Sequence, residues 1–381
     1  MGSTDTGRLR KVAIVQPYVP TYRVAFFEGL RARLAEQGVD LIVVADDPDG
    51  AQSGRNDAAD LPWVEHFSQR RIRVGSRTVR LGTAYRFWKR CDAVVVGHLG
   101  SSLDTNLALA LSSLRGPKVG VWGHIGSYVR DANPVDAWVE RWQVRRAGHV
   151  FAYTPGGARL AVELGADPSR VTTVMNTIDT AVLEGAVESV DDRQARELLA
   201  AAGPIDRRRT FAFIGGLDAS KRIGFLAEAL DRIWDEDQTV RVLVAGRGEE
   251  ESLLGSAVDR GQAVLLGYAD AWIKAALGRA TRAILMPGRI GLIAVDALAL
   301  GLPVLSTSWP YHAPESEYLT PGESLLQSDD SPEAYARLVL DEVRTAPRTL
   351  PRGYPTLDGM IENFSAGVLR LLDGEPGSSA A

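Results

Sequence analysis

A recurring alternation of short β-branched runs with helix-period segments constrains this 381-residue chain most. Lys11–Gln16 is a strand-like run bounded by Pro17 and Pro20; an amphipathic pattern follows from about Tyr22 to Glu36, then a second run at Leu41–Ala45. Short apolar runs of this kind read as strands buried on both faces, and strand, helix, strand with short connections implies a parallel sheet. Further strand candidates are Ala93–Val96, Lys118–Trp122, Val150–Tyr153 and Val171–Met175. A second series opens near Arg209 with Thr-Phe-Ala-Phe-Ile and continues through Arg241–Ala245, Ala263–Leu266, Ala283–Met286 and Pro303–Ser306. Between them lies the polar stretch Val182–Arg208, with Asp191, Asp192, Arg193 and a Gly203-Pro204 break, which reads as a domain boundary. The fold class expected is α/β with two parallel-sheet domains, each of roughly 150–200 residues.

An apolar fraction of 45% and a charged fraction of 24% suit a globular protein with sizeable cores. No run of about 18 apolar residues marks a membrane-spanning helix, and the opening Met-Gly-Ser-Thr-Asp-Thr-Gly-Arg is not a secretory signal. The single cysteine, Cys91, reads as a buried structural thiol and points to a reducing, cytoplasmic setting. The net charge of −5 hides an asymmetry, since residues 1–180 are basic and residues 181–381 acidic. In Leu61–Arg90, Arg70, Arg71, Arg73, Arg77, Arg80, Arg86, Lys89 and Arg90 face only Glu65, with Trp63, Phe67, Tyr85, Phe87 and Trp88 interleaved. This segment reads first as a solvated helix face whose aromatics join the core. The other reading is a peripheral contact with anionic membrane at the inner face. The acidic total and the lack of any binding motif argue against nucleic acid.

The densest local signal is Ile-Leu-Met-Pro-Gly288-Arg289-Ile-Gly291-Leu292-Ile-Ala-Val-Asp296-Ala-Leu-Ala-Leu-Gly301-Leu-Pro303-Val-Leu-Ser-Thr307. It reads as strand, glycine turn, helix bearing one carboxylate, glycine stop and strand. Backbone N–H groups and a helix N-terminus then meet at the strand's carboxyl end, where a phosphate is favoured. An acid about one turn further along reaches sugar hydroxyls beside that phosphate. Glycine turns and glycine helix stops also occur throughout parallel α/β proteins, so the run alone leaves ligand binding open.

This run resembles the donor-site signature of retaining glycosyltransferase family 4, in which Pro, Gly, Leu, an acid, Ala-Leu-Ala, Gly and Pro-Val recur in the same order. The family carries two glutamates eight residues apart. Here those positions are Gly288 and Asp296, so the first acid is missing and the second is one methylene shorter. The resemblance covers most of the chain and is strongest over 209–325. It implies a GT-B fold, two Rossmann-like domains facing across a cleft. The acceptor-side domain would span 1–185 and the nucleotide-sugar domain 205–350, with a helix in 351–381 crossing back to the first before a frayed tail.

The resemblance also implies roles. In Gly215-Gly216-Leu217-Asp218-Ala219-Ser220-Lys221-Arg222, Lys221 matches the family lysine that stabilises a departing diphosphate, Arg222 can assist, and Gly216 stands where the family has arginine. Gly246 and Arg247 would line the donor pocket, and Tyr268 would stack on the base. The Gly246-Arg247-Gly248 pattern has Glu251 where a dinucleotide fingerprint needs glycine, so a dehydrogenase is the least favoured reading. Arg289, Gly291 and Leu292 would hold the diphosphate and Asp296 the ribose. Glu315 is a candidate substitute for the missing carboxylate. In the first half, His124 after Val121-Trp122-Gly123 would line the sugar side, with His98 its rival. Tyr18 and Arg23 are acceptor-side candidates. Asp47-Pro-Asp49 reads as a turn, and no metal is expected.

The function implied is transfer of a sugar from a nucleoside diphosphate sugar to an acceptor hydroxyl with retention, by a cytoplasmic, bacterial, metal-independent enzyme. No cofactor is expected beyond the donor co-substrate. A lipid-linked or envelope saccharide, or a small molecule, would be the acceptor. The alternatives are a non-hydrolysing nucleotide-sugar epimerase and a catalytically weak nucleotide-sugar-binding partner subunit.

Overall fold

The computed structural model describes residues 8–48, 58–74, 77–112, 116–126, 134–346, 348, 350 and 353–374; at 69, 71–74 and 77–81 it describes the backbone alone. The chain divides into two units, 1–179 with 356–381, and 180–355.

In the first unit the strands are β1 (Arg10–Gln16), β2 (Val39–Ala45), β3 (Val64–His66), β4 (Gln69–Val74), β5 (Arg77–Gly82), β6 (Ala93–Gly97), β7 (Lys118–Gly123), β8 (His149–Ala152) and β9 (Val171–Thr173). Seven of them form one parallel sheet in the order β3-β2-β1-β6-β7-β8-β9. Strand β1 pairs with β2 from Arg10↔Val39 to Gln16↔Ala45, and with β6 from Val12↔Ala93, so the winding reverses between β1 and β6. The β-branched runs are buried on both faces: Val12, Ile14, Val43, Val94 and Val95 are all inaccessible to solvent. One face packs Phe26, Phe27, Leu30, Trp122, Phe151 and Phe364; the other packs Phe87, Trp88, Leu109 and Val144.

The helix Leu357–Asp373 belongs to this unit. Thr356 caps it by accepting from Gly359 N at 3.2 Å. Phe364 stacks on Phe151 with centroids 4.5 Å apart and meets Trp122 edge-on at 4.9 Å. A Cβ at Gly367 would lie 2.5 Å from the Phe151 ring, so the missing side chain lets the helix seat directly on the sheet.

Residues 69–82, read from sequence within a helix face, form an antiparallel hairpin of β4 and β5 with Arg71 opposite Arg80 and Ile72 opposite Val79. Its alternation of arginine with Ile72, Val74, Val79 and Leu81 has period two, the strand signal that the density of charge obscures. The aromatics do join the core at Phe67, Phe87 and Trp88, whereas Tyr85 is exposed.

The second unit holds β10 (Thr210–Ile214), β11 (Arg241–Ala245), β12 (Ala263–Gly267), β13 (Ile284–Leu285), β14 (Val304–Thr307) and β15 (Leu325–Ser328), all parallel, in the order β12-β11-β10-β13-β14-β15. Again the winding reverses beside the first strand, between β10 and β13. The stretch 182–208 is not a bare linker. It carries the helices Ala181–Ser189 and Asp192–Leu198, the second begun by a capping box of Asp191 and Gln194. Both pack on the helix Ala271–Ala280 and bury Leu183, Ala186, Ala195 and Leu199. The division between units therefore falls after Asp179. A buried ion pair joins Arg282 to Glu342 at 3.2 Å. Among the described residues no helix is long and apolar enough to cross a membrane.

Candidate functional site

In an open parallel sheet, ligands bind beyond the strand carboxyl ends where the winding reverses. In the second unit that point lies between β10 and β13, whose loops carry most of the sequence candidates. After β10 come Gly215 (φ +151), Gly216 and Leu217, then Asp218, which accepts from Ser220 N at 2.9 Å. A 3-10 turn, Ala219–Lys221, and Arg222 in the left-handed region (φ +57) lead into the helix Ile223–Glu236. The β13 loop is fastened to this turn: Arg289 N donates to Ser220 O at 2.8 Å and Lys221 Nζ to Arg289 O at 2.6 Å.

Gly288 lies in this seam. A Cβ there would stand 2.4 Å from Lys221 C and 2.6 Å from its Cα and O, all backbone atoms that cannot swing aside. Glycine at this position and the close approach of the two loops are one feature: the Lys221 main chain fills the space a glutamate would need. Arg222 braces the same loop from beside Lys221, donating to Pro287 O at 3.3 Å and to Asp330 Oδ1 at 2.5 Å, with its guanidinium 4.2 Å from the Phe225 ring centroid.

His312 secures the far side of the β13 loop. Its Nδ1 accepts from Ile290 N at 3.2 Å, which leaves Nε2–H to donate to Thr307 O at 3.3 Å. Burial lowers its pKa, and the charges of Lys221 and Arg222 act in the same direction, as this neutral tautomer requires. Sequence reading places His312 just beyond the end of a strand but gives it no role. Glu315 follows in the turn Pro314–Tyr318 and is buried.

On the other flank the β11 loop presses on the β10 loop. A Cβ at Gly246 would lie 1.8 Å from Gly215 O, and Leu217 N donates to Arg247 O at 3.0 Å. Arg247 is exposed, with its guanidinium near Gly267, and Tyr268 is 79% exposed. The loops of β12, β11, β10 and β13 therefore touch in sheet order, bringing together Tyr268, Arg247, Gly246, Gly215, Lys221 and Arg289.

The helix Ile293–Leu300 starts at Leu292, just after Gly291, without a side-chain cap, so its first N–H groups have no side-chain acceptor. One turn in, Asp296 is 6% exposed. Its Oδ2 receives Lys274 Nζ at 2.8 Å, from the helix Ala271–Ala280, while its buried Oδ1 has no partner among the described residues. An unmatched buried acceptor costs about 1–3 kcal/mol, and more when charged, so a ligand donor would be stabilised there.

In the first unit the winding reverses between β1 and β6. His98, after β6, contacts Glu140 O through Nε2 at 3.1 Å, and burial pushes its pKa down to about 4, a structural histidine. His124, after β7, is half-buried and meets the Tyr153 ring edge-on at 4.6 Å. The next residue, Ile125, has φ +69, a strained conformation for a β-branched residue, and such strain concentrates at functional loops. Arg23 does not stand at the surface as an acceptor-side group should. It is 5% exposed, donates to Asn176 Oδ1 at 2.5 Å and lies 5.5 Å from the Trp122 and 5.8 Å from the Tyr153 ring centroids. Tyr18 lines a cavity of about 160 Å³ with Asp46, Asp47, Asp60 and His66. Asp49, of the acid pair named above, lies outside the described residues.

Residues 208–343 match the family model described as glycosyl transferases group 1, and residues 25–182 match glycosyltransferase family 4. The chain is a GT-B glycosyltransferase. The glycosyltransferase from Rickettsia africae is similar in fold, at 12% identity and a TM-score of 0.61, over 96% of this chain and 99% of that one. Sucrose-phosphate synthase from Thermosynechococcus elongatus gives 14% and 0.60 over 95% of each chain. UDP-GlcNAc 2-epimerase from Methanocaldococcus jannaschii, in complex with UDP-GlcNAc and UDP, gives 13% and 0.56 over 95% of this enzyme and 99% of that one. No curated protein matches the glycosyltransferase in sequence.

Proposed function

We propose that this glycosyltransferase draws its sugar from a nucleoside diphosphate sugar and passes it to an acceptor hydroxyl with retention at the anomeric carbon. The observation that carries this reading is the switch-point seam of the second unit, where Lys221, Arg289 and an uncapped helix start accompany a carboxylate with an unmatched oxygen. Lys221, Arg289 and the Gly291 and Leu292 amides hold the diphosphate, and Asp296 takes the ribose. Gly215, Gly216 and Gly246 keep the backbone close to the ligand, Arg247 and Tyr268 meet the base, and Glu315 lies toward the sugar; Arg222 helps by bracing the loop. Lys221 stabilises charge on the leaving phosphate, which itself assists the incoming hydroxyl. His124, half-buried against Tyr153, is the first unit's candidate for contact with the acceptor. The bound UDP and UDP-GlcNAc of the epimerase make UDP the first nucleotide to test. The acceptor is a saccharide, lipid-linked or small-molecule alcohol, met in the cytoplasm or at its membrane face, without metal or cofactor.

Isothermal titration with UDP, GDP, dTDP and ADP, then with their sugar nucleotides, tests this reading. Micromolar binding to one nucleotide, weakened by Lys221→Ala and Asp296→Ala, is expected. Proton NMR of the product is expected to show the donor's anomeric configuration. Release of an altered nucleotide sugar without acceptor would make the protein an epimerase, and no nucleotide binding at all would refute the donor site.

A further inference from the structure

We propose that Lys274 is a positioning residue, turning Asp296 so that one carboxylate oxygen is presented to the ribose hydroxyls of the donor. This rests on the donor reading above. Asp296 has one oxygen occupied, Oδ2 by Lys274 Nζ at 2.8 Å, while Oδ1 is buried and accepts nothing among the described residues. The pair is largely sheltered, with side chains 22% and 9% exposed. Aspartate has two side-chain torsions, and an ammonium on one oxygen from the neighbouring helix selects the rotamer in which the other is left without a partner among the described residues. A shorter acid at this position reaches less far than glutamate. Its direction then matters more, and Lys274 supplies that direction from outside the helix bearing Asp296.

If the pair were only a staple between helices Ala271–Ala280 and Ile293–Leu300, removing Lys274 would affect every ligand alike. If Lys274 acts through Asp296 on the ribose, its removal matters only for ligands that carry the hydroxyls. The experiment is titration calorimetry of wild type, Lys274→Met and Lys274→Arg with UDP and 2′,3′-dideoxy-UDP, or the same pair for whichever nucleoside diphosphate the wild type binds best. For the wild type, loss of the hydroxyls is expected to weaken binding about tenfold, the scale of one hydrogen bond to a charged group. Lys274→Met is expected to weaken UDP about tenfold and leave the dideoxy ligand unchanged, with Lys274→Arg recovering most of the loss. Each protein is compared with itself across two ligands, so a change in stability does not enter. Equal weakening of both ligands, or of neither, overturns the inference while leaving the donor site standing. Failure of the wild type to bind any nucleotide refutes the donor reading itself.

Discussion

Restoring an alanine or glutamate at Gly288 is expected to destabilise the second unit, by an amount that the geometry sets. The new Cβ would lie 2.4–2.6 Å from three backbone atoms of Lys221, where carbon–carbon contact needs about 3.5 Å. The loops must part by about 1 Å. Overpacking of this kind costs about 1–3 kcal/mol. The displacement also stretches the Lys221 Nζ–Arg289 O and Arg289 N–Ser220 O hydrogen bonds, 2.6 and 2.8 Å long, each worth about 1 kcal/mol. A total near 3 kcal/mol lowers the thermal midpoint of a domain this size by roughly 6–12 °C. Gly288→Ala and Gly288→Glu fall together, because the Cβ and not the carboxylate does the damage. Gly185→Ala is the control: nothing lies within 4 Å of its Cβ position, and it sits inside the helix Ala181–Ser189, where alanine is favoured by about 0.5–1 kcal/mol. Differential scanning calorimetry reads both. A Gly288→Ala protein melting at or above the wild-type temperature would refute the close approach, and with it this account of the missing acid.

Arg282→Ala leaves Glu342 buried with, among the described residues, only Arg348 as a cation near it, at 3.4 Å, and is expected to cost about 3–5 kcal/mol by urea unfolding, whereas Arg282→Met with Glu342→Leu stays within about 1 kcal/mol of wild type. His149 sits against Thr172 at 2.7 Å, and burial, then Arg370 and Arg170, lower its pKa from 6.5 to about 4. Because the unfolded chain takes up protons that the folded one refuses, its contribution is fully present above about pH 6.5 and is lost as pH falls toward 4. His149→Gln is expected to flatten the urea midpoint over that window, and an unchanged pH slope would contradict it. Burial pushes the Cys91 thiol up to about 11, so a thiol reagent at pH 8 is expected to label it only after unfolding; rapid labelling of the native protein would overturn that.

Much of this architecture was legible because buried parallel strands carry their own signature. Runs such as Val-Ala-Ile-Val after Lys11 or Val-Leu-Val-Ala after Arg241 have no polar face to hide, and they lie where they read. The hairpin at 69–82 was missed because its alternation is written in arginine, and β3 because three residues containing Glu65 and His66 lack an apolar run. Helices in 181–198 were obscured by surface charge on faces whose other side, Leu183 and Ala195, is buried. At the site, glycines at strand ends and Lys221 were readable as types. How the two cations divide the seam was not, because Lys221 and Arg222 are adjacent in sequence, yet one donates to Arg289 O and the other to Pro287 O and Asp330. Lys274 and His312 act through side-chain geometry that spacing does not encode, and Arg23 sits in an aromatic cage built from three separate segments.

The helix Leu357–Asp373 also imposes an order on synthesis. Phe364 forms one wall of the ring cluster holding Phe26, Trp122 and Phe151, so the first unit lacks that wall until roughly 200 further residues have followed β9. At about 5–20 residues per second, that is a delay on the order of 10–40 s. The second unit, contiguous from 180 to 355, has its whole core in hand first. The half of the protein that leaves the ribosome first is therefore the half that finishes last, and in the interval the sheet face that Phe364 covers is open to chaperones and to other nascent chains.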